Sequence, residues 1–516
     1  LSGDFVCAII DSDNSRLILV TDRLGRHPLY YSKTDTAVVF ATTPSSLYSH
    51  PAVNHELQQQ GIYNYVYFHM VPSPSSIYRN VHKLPAATLI DINSGHIKSS
   101  NYWLPSFTNN SSSSFRSLGL ELRRLLKQSV ERELQRPLKT GGFLSGGLDS
   151  STVVGMLSEL SENQTEAFSI GFSAEGYDEM AFARITAKHF GVKLHEYYVT
   201  PDDVVTALPL IATSYDEPFG NSSALPAFFC AKFAKEHGIE RLLAGDGGDE
   251  LFAGNERYAK QIIFDAYAKV PAWIRDILIE PLSSALPPNI ALFRKIKSYI
   301  SQANTPLPDR LQTYNFLQQH KPEEIFTTSF LSDVDPLLPM YYQREIYNRL
   351  ANSSTLNRML YLDWQYTLAD NDLRKVSHAC SIAGIKVSYP MLDDTLVQFS
   401  TSIPDNWKIK GRKLRHFYKE SLRGWLPDQT ISKKKQGFGL PFGVWMRTHK
   451  QLQELAYDNL SELKKRDYFN KQFIDQVIKL HREGHASYYG ELVWILTVLE
   501  LWLQSHKSKC DSTISE

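Results

Sequence analysis

The chain has 516 residues, of which 42% are hydrophobic, and this length predicts two to four domains with sizeable cores. Lys plus Arg and Asp plus Glu both number 55, so the net charge gives no reason to expect nucleic acid or an anionic membrane as a partner. No apolar run is long enough to span a bilayer, and four scattered cysteines fit neither a metal site nor a disulfide scaffold. The composition therefore favours a cytoplasmic protein with reduced thiols.

Residues 1–105 are predicted to be rich in β-structure. Short apolar runs at 4–10, 16–21 and 38–41 are separated by turn residues. A polar Asn/Ser stretch at 109–114 is typical of a linker between domains, which we place at 106–116.

From residue 117 onward, strands and helices are predicted to alternate. A first helix covers residues 115–134. Strands are predicted at 140–144, 166–172, 193–199 and 241–244, and helices at 151–160, 179–190, 201–214 and 225–236. This alternation is typical of an open parallel sheet with helices on both faces. Beyond about residue 255 the pattern is mostly helical, and a last strong helix is predicted at 488–506.

The most informative motif is Ser145-Gly146-Gly147-Leu148-Asp149-Ser150, which joins a predicted strand to a predicted helix. Backbone N–H groups are unpaired at such a junction, and the helix dipole attracts an anion. Glycines allow a phosphate to approach closely, and seryl hydroxyls add donors. A carboxylate here repels phosphate unless it holds a cation, so Asp149 predicts a Mg²⁺–polyphosphate site. The alternative is an ordinary Gly-rich turn, and the motif matches neither the Walker loop nor the dinucleotide fingerprint.

A second loop, Gly245-Asp246-Gly247-Gly248-Asp249-Glu250, follows a later strand of the same pattern. Ligands of open α/β sheets bind beyond the carboxyl ends of the strands, so the two loops should face each other. Asp249 is then the second carboxylate for the metal ion. Three glycines combined with three acids are unusual in a generic acidic turn, which favours the functional interpretation.

At these loops the chain resembles the synthetase domain of the asparagine synthetase B family of class II glutamine amidotransferases. Further similar segments lie at 22–31, 215–218, 223–226, 389–393 and 434–439. The resemblance implies an α/β fold in two parts. An incomplete β-rich sandwich of the Ntn glutaminase type over residues 1–105 is followed by a parallel-sheet pyrophosphate-loop domain over 117–516. That second domain is of the adenine nucleotide α-hydrolase type and ends in a helical part.

The family reaction implies ATP and Mg²⁺ as cofactors. Aspartate and ATP give β-aspartyl-adenylate and pyrophosphate, and ammonia then gives asparagine and AMP. Such chemistry depends on electrostatic stabilisation of the leaving pyrophosphate. The resemblance assigns ATP binding to Leu144, Ser145, Gly146, Gly147, Asp149, Ser150, Ile170, Ala244 and Gly245. It assigns the metal to Asp149 and Asp249, and catalysis to Asp246, Arg415 and Lys435.

Several positions depart from the family pattern. Asp246 stands where Glu is typical and is shorter by one methylene. Lys386 and Ser388 stand where the family has an acid and an arginine. Arg415 stands for a lysine whose geometry a guanidinium does not reproduce. These changes leave the ATP half of the reaction intact and put the acceptor half in question. The lysine run 433–435 fits a phosphate-facing position and a solvated one equally.

The glutaminase machinery of the family is an amino-terminal cysteine whose own α-amine acts as base. Residue 1 is Leu, and Cys7 is placed in mid-strand, where a buried thiol is the ordinary interpretation. We therefore expect residues 1–105 to form only the later strands of the sandwich, with part of an apolar face open. We expect residues 1–516 to have no glutaminase activity.

Three functions compete at this point. The first is an asparagine synthetase, and the second is a related amidating or cyclising ligase for another carboxylate, which Lys386 and Ser388 favour. The third is a non-catalytic nucleotide-binding scaffold, against which the retained pair Asp149 and Asp249 counts. The expected partners are small molecules: ATP, aspartate or another carboxylate, and ammonia or glutamine. Neither nucleic acid nor membrane is expected, and a homodimer is one oligomeric state that the sequence allows.

Overall fold

The structure is a computed structural model, and it describes residues 1–108, 113–174, 176–285, 290–434 and 439–514. Its first part is built from two antiparallel sheets, with strand orders β1-β2-β6-β7 and β4-β3-β5. The strands are β1 (Val6–Asp11), β2 (Arg16–Thr21), β3 (Tyr30–Lys33), β4 (Val38–Ala41), β5 (Val81–Lys83), β6 (Thr88–Asn93) and β7 (His96–Asn101). The β-rich character predicted for residues 1–105 is confirmed.

The four-stranded sheet is covered unevenly. A small core between the two sheets contains Leu19, Leu29, Leu84, Ile90 and Ile92. On β1, in contrast, Ile9 is 50% exposed and Ile10 is 70% exposed. Part of the apolar surface of this sheet therefore faces solvent, as the sequence led us to expect.

Two helices interrupt the strands of this part, α1 (Pro44–Leu47) and α2 (Gln59–Phe68). Helix α2 is rich in tyrosine, a residue with strand propensity, and the sequence pattern did not predict it. Its residues from Gly61 to Tyr67 are all buried, and Tyr65 donates a hydrogen bond to the Ile495 carbonyl at 2.7 Å. Tertiary packing thus overrides local propensity here.

The second part contains a five-stranded, all-parallel sheet in the order β10-β9-β8-β11-β12. Helix α3 (Phe115–Leu134) leads into it. The sheet strands are β8 (Thr140–Phe143), β9 (Glu166–Phe172), β10 (Lys193–Val199), β11 (Arg241–Leu243) and β12 (Lys386–Ser388), and the helices between them are α4 (Leu148–Leu160), α5 (Met180–Phe190), α6 (Pro201–Ser214) and α7 (Ala224–Glu236). The predicted α/β class is confirmed. Only β12 was missed, because three residues inside a helical region carry no strand pattern.

Helices make up most of the chain from residue 248 onward. They are α8 (Gly248–Phe252), α9 (Glu256–Ala268), α10 (Ala272–Ile274), α11 (Glu280–Ala285), α12 (Ala291–Asn304), α13 (Phe316–Gln319), α14 (Pro322–Ile325), α15 (Thr328–Leu331), α16 (Leu338–Asn348), α17 (Thr355–Asp363), α18 (Leu373–Ile382), α19 (Asp394–Thr401), α20 (Asp405–Lys408), α21 (His416–Leu422), α22 (Asp428–Ser432), α23 (Phe442–Thr448), α24 (Lys450–Leu463), α25 (Lys471–Glu483) and α26 (Ala486–Ile514). Shorter 3₁₀ turns lie at Asp309–Gln312 and Pro390–Leu392, and π-helical segments lie at Arg275–Ile279 and Trp364–Asp372. Among the described residues, no helix combines the length and apolar character needed to cross a membrane.

Candidate nucleotide and acceptor site

A cavity of about 840 Å³ opens at the carboxyl edge of the parallel sheet. Leu243 of β11 is paired with Gly142 of β8, so the loops that follow these two neighbouring strands begin side by side. Both loops line the cavity. This is the position predicted from the rule for ligand sites in open α/β sheets.

The first loop is held by its own hydroxyl groups. Helix α4 starts directly after Gly147, so the motif lies at a helix amino terminus. Ser145 Oγ accepts a hydrogen bond from the Gly147 N–H at 3.3 Å and lies 3.1 Å from Ser150 Oγ. Ser150 Oγ in turn accepts from the Ser145 N–H at 3.2 Å. These hydrogen bonds within the loop fix its shape.

The two glycines of this loop have different surroundings. Gly147 lies on the cavity wall, and a Cβ there would contact Ser145 Oγ at 3.2 Å and Ser150 Oγ at 4.0 Å. Gly146 has φ +71°, and a Cβ would stand 2.6 Å from the backbone nitrogen of Ala183 in α5. Gly146 is thus required for backbone conformation and packing on α5, not for the expected approach to phosphate.

Most of the residues predicted to bind ATP do share this wall. Those on it are Leu144, Ser145, Gly147, Asp149, Ser150, Ile170 and Gly245. Gly146 and Ala244 do not line the cavity. Ala244 is buried, and its N–H donates to the Ser388 carbonyl at 2.9 Å, which makes it part of the β11–β12 pairing.

Asp149 and Asp249 lie across one cleft, as predicted, and a single guanidinium joins them. Arg415 Nη2 forms an ion pair with Asp149, and Arg415 Nη1 lies 3.1 Å from Asp249. Burial lowers the pKa of Arg415, but the two carboxylates outweigh it and raise the pKa above its ordinary value. Arg415 has φ 57°, a conformation that is rare for a side-chain-bearing residue and often occurs at functional sites.

Asp149 and Asp249 supply oxygen ligands of the kind that Mg²⁺ binds, and in this structure Arg415 pairs with both of them. A Cβ at Gly248 would displace the Asp149 carboxylate, and one at Gly254 would displace the Asp249 carboxylate, so glycine at both positions gives these acids their present place. The described ranges contain no group of three or more His, Cys, Asp or Glu side chains suited to a metal ion. The remaining oxygen ligands of Mg²⁺ would therefore come from phosphate and water.

Another part of the cavity wall carries Asp246, Asp372 and Lys375. Lys375 Nζ lies 2.6 Å from Asp372 Oδ1. Burial raises the pKa of Asp246 to about 6, while the nearby Lys375 opposes this shift and Asp372 adds to it. Burial lowers the pKa of Lys375, but the two acids outweigh it and raise the value. Apolar side chains also line the cavity: Phe168, Ile170, Ala227, Cys230 and Val376.

Sequence reasoning found Asp246 but missed Lys375 and Asp372. Both come from the helical stretch after residue 364, which has no glycine motif, and only their mixed charge in a short span could have indicated a site. The two departures from the family pattern that did draw attention, Lys386 and Ser388, do not line the cavity. Lys386 is paired with Arg241 at the start of β11, away from the carboxyl edge.

Basic side chains line the cavity beside the first loop. Lys433 forms a buried ion pair with Glu179 at 2.5 Å, and Lys434 also lies on the wall. Lys435, the predicted catalytic lysine, lies outside the described residues. Further basic residues line the cavity: Lys375, Arg412, Lys413, Arg415, His416, Lys419 and Arg423. The lysine run thus begins at the cavity, and its first member is neutralised by an acid.

Comparison with known proteins identifies the family. The family model described as asparagine synthase matches residues 121–504, and the model described as a glutamine amidotransferase domain matches residues 1–103. Asparagine synthetase [glutamine-hydrolyzing] 1 of Bacillus subtilis (strain 168) is 26% identical over 506 residues, covering 97% of this chain and 77% of that protein. Asparagine synthetase [glutamine-hydrolyzing] 3 of the same organism is 22% identical, covering 99% and 80%.

The solved structure of NMN synthetase from Francisella tularensis is a distant likeness. It has 13% sequence identity and a TM-score of 0.22, and it covers 40% of this chain and 94% of that chain. It carries no weight in the assignment. The family model alone matches well over half of the residues. The chain therefore belongs to the asparagine synthase family of glutamine-dependent carbon–nitrogen ligases.

Proposed function

We propose that the chain adenylates a carboxylate with ATP, releases pyrophosphate, and forms an amide when ammonia displaces AMP. The observation that carries this proposal is the meeting of Asp149 and Asp249 across the cavity, at the amino terminus of α4. Family membership makes aspartate the first acceptor to test. Glutamine is the proposed source of the ammonia.

The two loops that carry Asp149 and Asp249, which we call the phosphate end of the cavity, serve the first step. The hydroxyls of Ser145 and Ser150 and the N–H groups of the first turn of α4 bind the pyrophosphate part of ATP. Arg415 keeps a positive charge beside the departing pyrophosphate. When bound by Asp149 and Asp249, Mg²⁺ would neutralise charge on the polyphosphate. Little covalent help is needed from the protein, because adenylation depends on position and charge.

Asp246, Asp372 and Lys375, which we call the acceptor end of the cavity, serve the second step. With a pKa near 6, Asp246 is mostly ionised at neutral pH, and its carboxylate accepts the proton that the attacking nitrogen loses as the amide forms. Lys375, held by Asp372, orients the substrate beside Asp246. The apolar side chains of the wall, among them Phe168 and Val376, keep water away from the adenylate, which would otherwise be hydrolysed.

A second candidate acceptor is a carboxylate other than aspartate. Aspartate carries a second carboxylate that requires a cation, yet Lys375 at this end is already engaged by Asp372 at 2.6 Å and attracted by Asp246. Two acids around one lysine favour an acceptor with one carboxylate and a nearby amine. This observation supports the related amidating or cyclising ligase.

The test is pyrophosphate release from ATP with a panel of carboxylic acids, with Mg²⁺ or EDTA and with or without ammonium. The panel contains aspartate and glutamate, and β-alanine and 4-aminobutyrate as acids without a second carboxylate. We expect release that requires both Mg²⁺ and one class of acid. Formation of ADP and phosphate instead of AMP and pyrophosphate would contradict the proposal.

A further inference from the structure

The π-helical segment Trp364–Asp372 lies between α17 and α18 and contacts both parts of the chain. Nine residues of π-helix are unusual, since π-helix normally occurs as single-turn bulges, often at functional sites. The segment begins beside the acidic loop and ends in the cavity, so its contacts connect places that are far apart in sequence.

The first residue of the segment holds the acidic loop. Trp364 is 1% exposed, and its indole Nε1–H donates to the Glu250 carbonyl at 3.0 Å. Glu250 follows Asp249 directly in α8. Because a buried carbonyl must keep its hydrogen bond, this contact positions the backbone that carries Asp249.

Two aromatic residues that follow β7 pack on the same tryptophan. The Trp103 ring stacks on Trp364 at 6.3 Å between centroids, and Phe107 packs on it at 5.8 Å. Arg23, from the loop after β2, lies over the Trp103 ring at 5.3 Å. An unbroken series of contacts therefore runs from the amino-terminal domain through Trp103 and Trp364 to the acidic loop.

The other end of the segment repeats this connection. Asp370 accepts hydrogen bonds from the N–H and Oγ of Ser73, at 2.8 and 2.7 Å, and Ser73 belongs to the amino-terminal domain. Two residues later, Asp372 pairs with Lys375 in the cavity. Asp370 and Asp372 therefore connect Ser73 to Lys375 in the cavity through one short piece of helix.

We propose that the Trp364–Asp372 segment couples docking of the amino-terminal domain to the nucleotide site, and that Trp364 is the positioning residue of this device. When Trp103 and Ser73 are in place, the acidic loop is held ready for Mg-ATP and Asp372 is held ready for the acceptor. The inference rests on the proposed function, because it takes the metal and nucleotide sites as assigned above.

The test compares Trp364→Phe with two matched controls in the full chain. Trp494 and Trp502 are also buried and also donate an indole N–H to a backbone carbonyl, at 2.9 Å to Gly220 and 3.0 Å to Tyr215. Each Trp→Phe change removes one such hydrogen bond. Calorimetry measures the Kd of ATP with Mg²⁺ and with EDTA, and melting measures stability.

We expect Trp364→Phe to weaken Mg-ATP binding about fivefold, the effect of one lost hydrogen bond, and to change binding in EDTA much less. The control variants should lose similar stability and leave the Kd within about twofold. Trp103→Leu, at a half-buried position, should weaken Mg-ATP binding too, and its effect should not add to that of Trp364→Phe. This second variant keeps the test open if Trp364→Phe fails to fold.

Equal Mg-ATP affinity in Trp364→Phe, Trp103→Leu and the controls would overturn the coupling and leave the proposed function standing. Additive effects of Trp103→Leu and Trp364→Phe would also overturn it, because independent contacts cannot form one device. Absence of Mg²⁺-dependent ATP binding in the unchanged protein would contradict the proposed function itself, and this inference with it.

Discussion

The phosphate end and the acceptor end of the cavity differ in how they are built. The phosphate end consists of two short loops, each starting directly after a strand, with acids held in place by glycines and by Arg415. The acceptor end draws Asp246 from one of these loops, but Lys375 and Asp372 from a helical stretch more than 100 residues further along the chain.

This difference separates a part built from backbone and glycines from a part built from side chains on helices. Binding a polyphosphate needs backbone N–H groups and fixed glycines, which few other sequences can replace. Binding an acceptor needs only side chains of suitable charge, which helices can supply at many positions. We therefore expect changes at the phosphate end to abolish all chemistry, and changes at the acceptor end to affect only some substrates or steps.

The largest effect is expected for Asp149→Asn. Loss of this carboxylate should lower ATP–pyrophosphate exchange at least about 1000-fold, because the charge that holds the cation is removed. The control is Asp202→Asn, which removes an acid from the first turn of another helix, α6, where the side chain is 77% exposed. Exchange in the control should stay normal, and a similar loss in both variants would refute the assignment of Asp149.

Asp246→Asn should separate the two ends of the cavity. ATP binding should persist, while ammonia-dependent amide formation should fall about 100-fold, because the carboxylate that takes the proton is lost. ATP affinity and the rate of AMP formation are the measurements. An equal loss of ATP affinity and of AMP formation would place Asp246 at the phosphate end, and the two ends would then not have separate roles.

Lys375→Met should act on the acceptor alone. We expect kcat/KM for the acceptor acid to fall about tenfold while KM for ATP stays unchanged, since the lysine orients only the acceptor. Lys232→Met is the matched control, because Lys232 lies on α7 with a side chain 55% exposed. An increase in KM for ATP alone would contradict this role.

The pH dependence should report the Asp246 carboxylate. Burial raises its pKa to about 6, so the group is protonated below that pH in the folded protein, and the rate of amide formation should fall there about tenfold per pH unit. The effect on stability has the opposite sign. Between pH 3.8, the ordinary pKa of this group, and about 6, the unfolded chain loses the Asp246 proton while the folded protein keeps it, so the free energy of unfolding decreases as pH rises. In Asp246→Asn, the rate should lose the step near pH 6.

The sequence predicted most of the fold because the elements follow local patterns. Strands β9 and β10 and helices α3 and α6 have the predicted bounds, and α6 carries a capping box of Thr200 and Asp203 that fixes its start. Individual predictions were not made for helices α1 and α2 or for strands β3, β5, β6, β7 and β12. The conformations of α2 and β12 depend on partners distant in the chain. Local patterns contain no information about such partners.

The candidate site was predicted only in part, for a similar reason. Motifs located the residues that follow β8 and β11, but they could not show that Gly146 packs on α5 or that Ala244 belongs to the β-pairing. The sequence also does not show that Arg415 links two acids. Asp149 precedes it by 266 residues and Asp249 by 166.

The central claim is that a carboxylate attacks ATP to form an adenylate, and one measurement tests it directly. The protein is incubated with ATP, Mg²⁺, ammonium and an acceptor acid labelled with oxygen-18 in its carboxyl group, and the AMP is analysed by mass spectrometry. With both carboxyl oxygens labelled, we expect one atom of oxygen-18 in each AMP. This atom is transferred when the bond between the carboxyl carbon and the bridging oxygen of the adenylate breaks. Label in inorganic phosphate, with ADP as the nucleotide product, would contradict it.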